Sequence, residues 1–130
     1  MSFIIETDHC VEILRGRLDV GQFVQPDTPL FITAITVSEL IYGAYKSDRT
    51  AAHLAQVDLL LAGATVLPFD AAAARRCGAI KDLLRRAGTP LAEPDLQIAS
   101  IVLEHALPLV THNQEHFKRV PGLVLTDWIG

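Results

Sequence analysis

The chain has 130 residues, half of them hydrophobic and a fifth charged, which suits one globular domain spanning 1–130 and leaves no room for a second. No apolar run approaches the roughly 18 residues of a membrane-spanning helix, and the acidic start MSFIIETDHC does not suit a signal peptide. Cys10 and Cys77 stand apart with no CxxC or Cys/His cluster, which argues against a zinc site or a secreted disulfide framework and predicts a cytoplasmic protein, while fifteen acidic against eleven basic residues speak against a general nucleic-acid binder.

Phe3-Ile4-Ile5 is too short for a helix and suits a buried strand, which stops abruptly at Glu6-Thr7-Asp8. A helix is expected over His9 to Arg17, with Asp8 as a turn former capping it. Pro26, Asp27 and Pro29 mark a loop, and Leu30 to Thr33 reads as a second strand. Thr36 to Tyr45 carries the helical stripe Val37, Leu40, Ile41 and Ala44, with Thr36 or Ser38 able to cap it. A further helix is expected over Asp48 to Ala62, ending at Gly63, and ATVLPF (64–69) reads as a buried strand.

Asp70 is a plausible N-cap for an alanine-rich helix in which Cys77, Ile80, Leu84 and Ala87 recur at helical spacing, with Gly88 and Pro90 as the stop. Within it, Arg75, Arg76, Lys81, Arg85 and Arg86 face a single acid, Asp82. This is a cationic segment in an acid-rich chain, readable either as the solvated face of a helix or as a contact for phosphates. Pro94 opens the next helix, through His105, where its missing N–H costs nothing. Leu107 to Thr111 and Leu123 to Thr126 are the last expected strands.

Short, wholly apolar strands alternating with helices predict an α/β fold in three layers, with a mostly parallel sheet covered on both faces. Such sheets bind ligands beyond the carboxyl ends of their strands, which directs attention to Glu6 and Asp8, to Glu93 and Asp95 around Pro94, and to Thr111 through Glu115. Asp95 lies on the same side of its helix as Ile98, Ala99 and Val102, so it should point inward. Glu39 sits early in the helix TVSELIYGAY. A carboxylate such as Glu6, directly after an apolar strand, needs a cation or donors. Carboxylates converging at strand ends repel unless a divalent ion neutralises them, and an all-oxygen donor set points to Mg²⁺ or Mn²⁺. Phosphodiester hydrolysis fits this equipment.

Five segments in order, Ile5-Glu6-Thr7-Asp8-His9, Thr36-Val37-Ser38-Glu39-Leu40-Ile41-Tyr42-Gly43-Ala44, Leu67-Pro68-Phe69-Asp70, Glu93-Pro94-Asp95-Leu96-Gln97-Ile98-Ala99, and Val110-Thr111-His112-Asn113 through Leu123, resemble a PIN-domain ribonuclease of the VapC toxin type. The resemblance spans nearly the whole chain. It implies a Mg²⁺- or Mn²⁺-dependent endoribonuclease in which Glu6, Glu39, Asp95 and a fourth residue form the catalytic cluster, with Glu6 and Asp95 holding the metal. Glu115 is the expected fourth residue, with Asn113 the other candidate. His112 and His116 read as surface or packing residues. Glu6 departs from the aspartate usual in such proteins, lengthening the side chain by one methylene, and a misplacement of about 1 Å can cost on the order of a hundredfold in rate. The resemblance further implies an RNA substrate, a homodimer and a cognate VapB-type antitoxin, with Arg75, Arg76, Arg85 and Arg86 as candidate RNA contacts. Two other readings stay open: a catalytically weakened module that acts by binding RNA or antitoxin, and a receiver-type phosphoacceptor domain, which would need a late-strand lysine that LPLVTHN lacks.

Overall fold

A computed structural model describes residues 1–130. Five short strands, β1 (Phe3–Ile5), β2 (Leu30–Thr33), β3 (Thr65–Leu67), β4 (Leu109–Val110) and β5 (Leu125–Thr126), form one sheet in the order β3-β2-β1-β4-β5. Every neighbouring pair is parallel. Six helices accompany them: α1 (Thr7–Leu14), α2 (Ala34–Lys46), α3 (Thr50–Ala62), α4 (Ala71–Ala87), α5 (Glu93–His105) and α6 (Gln114–Phe117). No helix is long and apolar enough to cross a membrane.

The lack of a polar face on the strands follows from two separate cores. Successive strand side chains point to opposite faces, so Ile4 and Leu109 enter the larger cluster with α4 and α5, while Ile5, Ile32 and Val110 enter the smaller one with α1, α2 and α3. Both faces are dry, as the three-layer expectation required. The chain builds β2 and β3 on one side of β1 and then β4 and β5 on the other. The crevice between the carboxyl ends of β1 and β4 is therefore the point at which the strand order reverses, where open α/β sheets bind ligands.

Helix boundaries differ from the sequence expectation at their caps. α1 begins at Thr7, not His9, because Glu6 is its N-cap and accepts from the Asp8 N–H; Asp8 is inside the first turn and does not cap. α1 also ends early, at Leu14, where Gly16 turns the chain at φ +71°. α2 begins at Ala34 because Thr33, the last residue of β2, accepts the Thr36 N–H at 3.2 Å; neither Thr36 nor Ser38 is the cap. Asp70 does cap α4, accepting from Ala73 N–H at 2.9 Å, and Gly88 closes it in the left-handed region at φ +74°. The short helix α6 and a 3₁₀ turn at Val20–Gln22 carry no periodic signal and were not expected.

Candidate active site

Glu6 leaves the end of β1 with its side chain 8% exposed. Its Oε2 accepts the Asp8 N–H at 3.1 Å. Burial, above all, pushes the Glu6 carboxyl up from 4.5 to about 8, with a carboxyl-to-carboxyl hydrogen bond and the charges of Asp8 and Glu39 acting in the same direction. Asp8 is held down to about 2, against the opposing effect of its own burial, by bonds from His9, from the Glu6 carboxyl and from the His112 N–H. One proton thus belongs to Glu6 and the negative charge to Asp8, as expected for two carboxyls sharing a site.

Asp8 fastens β1 to the loop after β4. Its Oδ2 accepts the His112 N–H at 2.8 Å and lies 3.4 Å from the Thr111 hydroxyl, and its Oδ1 accepts from His9 at both the backbone N–H, 2.7 Å, and ring Nδ1, 2.9 Å. His9 is fully buried. Its Nε2 accepts the Trp128 N–H at 2.9 Å, which leaves the ring proton on Nδ1 for Asp8.

Glu39 reaches the same crevice from the second turn of α2. A directed run of hydroxyls ends on it: Thr33 lies 3.4 Å from Thr36, Thr36 lies 3.0 Å from Thr7, and Thr7 donates to Glu39 Oε1 at 2.6 Å. Since Thr7 spends its one proton on Glu39, it accepts from Thr36. This run fixes the rotamer of Glu39, and it places Thr7, Thr33 and Thr36 among the supporting residues that the sequence pattern assigned to caps or left unassigned.

Asp95 stands in the first turn of α5, directly before fully buried Leu96 and within one turn of Ile98 and Ala99. Packing of those residues aims it inward, as its position on the apolar side predicted. Its Oδ2 lies 3.5 Å from His116 Nδ1, which is 2.8 Å from Asn113 Nδ2. The Asn113 N–H in turn donates to the Thr111 hydroxyl at 3.0 Å. Asp95, His116, Asn113, Thr111, Asp8 and Glu6 are therefore joined in succession across the crevice, and the Glu39 charge acts on Glu6 from the α2 side. Glu115 is not among them. Its side chain is 79% exposed and its carboxylate pairs with Lys118 at 2.9 Å, which holds it below the usual range. Helix α6 turns Glu115 to solvent and His116 toward Asp95, so the position next to the acids belongs to Asn113 and His116. A four-residue helix leaves too little periodicity to have revealed this.

The cationic segment on α4 is largely self-neutralised. Arg76 pairs with Glu104 at 2.7 Å, Lys81 with Glu93, and Arg85 and Arg86 both with Asp82 at 2.7 and 3.0 Å. Arg75 alone has no carboxylate partner there.

The donor set of the crevice suits a hard divalent ion in kind: carboxylates and hydroxyls, no thiol in reach of solvent, and no lysine or arginine among the groups that act on buried Glu6. No three of the acidic, histidine or cysteine side chains converge on a common point as they stand, and the Glu6 carboxyl is engaged as the cap of α1.

The PIN domain family model matches residues 4–123. The tRNA(fMet)-specific endonuclease VapC of Salmonella typhimurium is 33% identical over 130 residues, 98% of each chain. Among solved structures, DNA-bound VapBC from Salmonella typhimurium superposes with a TM-score of 0.91 at 33% identity, covering 98% of both chains. VapBC2 from Rickettsia felis, bound to a fragment of promoter DNA, superposes at 0.90 with 27% identity over 98% of this chain and 99% of that one.

Proposed function

Since the chain belongs to the PIN-domain family and to its VapC branch, we propose that it is a metal-dependent endoribonuclease acting as the toxin of a toxin–antitoxin pair. The observation that carries the reading is Glu6: a carboxyl buried at the strand-order reversal, beside Asp8 and Glu39, with no basic residue to balance them. Desolvating a carboxylate costs several kcal/mol unless a cation or donors compensate. Structural ion pairing does not explain it, because its nearest charged neighbours are acids.

Glu6 and Asp95 are the residues that would hold Mg²⁺ or Mn²⁺, which when bound neutralises the acids and activates water toward a phosphodiester. Glu39, fixed by Thr7, orients the attacking water and accepts its proton. Asn113 and His116 flank Asp95 and keep its carboxylate turned into the crevice, with Asn113 in place of Glu115 as the fourth site residue. Glu6 must leave the cap of α1 to serve, and its side chain is one methylene longer than the aspartate usual at this position in the family.

RNA cleavage in Mg²⁺ or Mn²⁺ by the purified protein, beside Glu39→Gln and Asp95→Asn, tests this reading. The expected result is cleavage by the parent and loss in both variants; activity that survives both substitutions would refute the site assignment. The substrate panel should include transfer RNA, since the Salmonella typhimurium relative is named for cleaving tRNA(fMet). Sequencing the ends of the products identifies the bond cut. The antitoxin partner follows from the same family membership, and co-purification with the product of an adjacent reading frame tests it.

A further inference from the structure

We propose that the outer edge of α2, with Tyr42 and Lys46, and Arg49 of the turn into α3 form a contact for single-stranded RNA on one side of the scissile bond. The proposal rests on the ribonuclease reading above and adds where the strand lies.

Helical geometry supplies the first observation. Lys46 follows Glu39 by seven residues, almost two full turns, so the two stand on one face about 10 Å apart along the axis, with Tyr42 between them. Ten ångströms is about three nucleotides of a stacked strand at roughly 3.4 Å each. Gly43 lies on the same side, and a Cβ built there would meet nothing within 4 Å. Glu39, Gly43, Ser47 and His53 line one groove of about 460 Å³ between α1, α2 and α3. The floor of that groove is apolar, with Val11, Leu14, Leu40 and Val57, and it runs from Glu39 to Ser47 and His53, beyond which Lys46 and Arg49 border the adjoining hollow at the α2–α3 turn.

Chemistry supplies the second. Tyr42 and Tyr45 are each 65% exposed, and the Lys46 ammonium sits 5.2 Å from the centre of the Tyr42 ring. Lys46 and Arg49 are both exposed, and neither has a carboxylate within ion-pair distance. Asp48, in the same turn, pairs with neither. This contrasts with α4, where four of the five cations are already bound to acids. Exposed aromatic faces interleaved with unpaired cations are what single-stranded nucleic acid requires, since any base can stack on the ring and the phosphates meet the charges. A wholly apolar peptide would leave both cations without a counter-charge, so the edge fits RNA better than a hydrophobic segment of a protein partner.

The test measures binding of a fluorescein-labelled single-stranded RNA in EDTA, where no cleavage occurs, across a series of salt concentrations, followed by cleavage kinetics in Mg²⁺. Lys46→Gln and Arg49→Gln should each weaken binding about threefold to tenfold and lower the slope of log Kd against log salt by about 0.7, the value for one phosphate contact on a single strand. In cleavage, KM should rise by the same factor with kcat within about twofold. Tyr42→Ala should weaken binding roughly tenfold, whereas Tyr42→Phe, which still stacks, should bind like the parent. Arg17→Gln, in the turn beyond the end of α1, controls for net charge. Unchanged affinity and salt slope in Lys46→Gln and Arg49→Gln overturns the proposal, as does an equal loss in Arg17→Gln. Intact RNA binding with lost affinity for the antitoxin would overturn it too and assign the edge to a protein partner. If the parent binds RNA with these dependences but cleaves none, the contact stands and the nuclease reading falls.

Discussion

The buried proton of Glu6 makes the metal-free protein less stable as the pH rises. An acid whose folded value is raised binds more protons folded than unfolded between the two values, so stability falls with pH across that window. For Glu6 the window runs from 4.5 to about 8, and the displacement corresponds to about 5 kcal/mol at 1.36 kcal/mol per pH unit. Asp8 moves oppositely but between about 2 and 3.8; its contribution is fully present above 3.8 and does not mask Glu6. At roughly 2.1 cal/mol/K per residue of unfolding entropy, 130 residues convert 1 kcal/mol into about 4 °C. Thermal melts in EDTA at half-unit steps from pH 5 to 8 should therefore show the parent losing roughly 5 °C per pH unit relative to Glu6→Gln, which keeps the cap acceptor and cannot ionise. Parallel melting curves for the two proteins over this range would refute the assignment of the proton to Glu6.

Glu6→Asp should increase Mg²⁺-dependent cleavage at least severalfold over the parent, measured as initial rate on the same RNA, if the extra methylene misplaces the carboxyl relative to the other acids. Thr33→Ala removes the α2 cap and the head of the hydroxyl run to Glu39; it should cost about 1 kcal/mol, seen as a fall in Tm of about 4 °C, together with a drop in kcat that Thr33→Ser restores. Phe117→Ala empties a fully buried position under α6, and a cost of about 3–5 kcal/mol should lower Tm by more than 10 °C. His116→Ala should reduce cleavage with little change in Tm, because His116 touches Asp95 and Asn113 from a half-exposed position.

How much of this was legible in the sequence depended on how far apart the partners lie. Strand ends and apolar stripes are local patterns, and they direct attention to Glu6, Glu39, Asp95 and the segment after Thr111, which the fold brings to one end of the sheet. Caps were harder. Thr33 ends a strand and caps the helix that follows without an intervening loop, so a reading that separates strand from helix looks for the cap at Thr36 or Ser38, three or five residues too late. Asp8 has the composition of a cap, yet it serves as a tie between β1 and the β4 loop, because its partner His112 is 104 residues away. His9 is legible only as a helix residue until Trp128, 119 residues on, is seen to bond to its ring. Charge alone favours Glu115 over Asn113, whereas the side of α6 that faces α5 is fixed by packing, which turns Glu115 to Lys118 and His116 to Asp95.

The net charge of −4 is misleading as a guide to RNA binding because the charges are partitioned by the fold. Glu93, Glu104 and Asp82 are spent on the cations of α4. Exposed pairs of this kind add little to stability, so their effect is mainly to cancel the field of that helix. Glu6, Asp8, Glu39 and Asp95 are concentrated in the crevice, where they would repel a phosphate until neutralised. What remains to attract a polyanion is the small set of cations left without carboxylate partners, and of these Lys46 and Arg49 border the hollow that adjoins the Glu39 groove at Ser47 and His53. A strand held there approaches the acids from a side whose positive charge has not been cancelled by carboxylates.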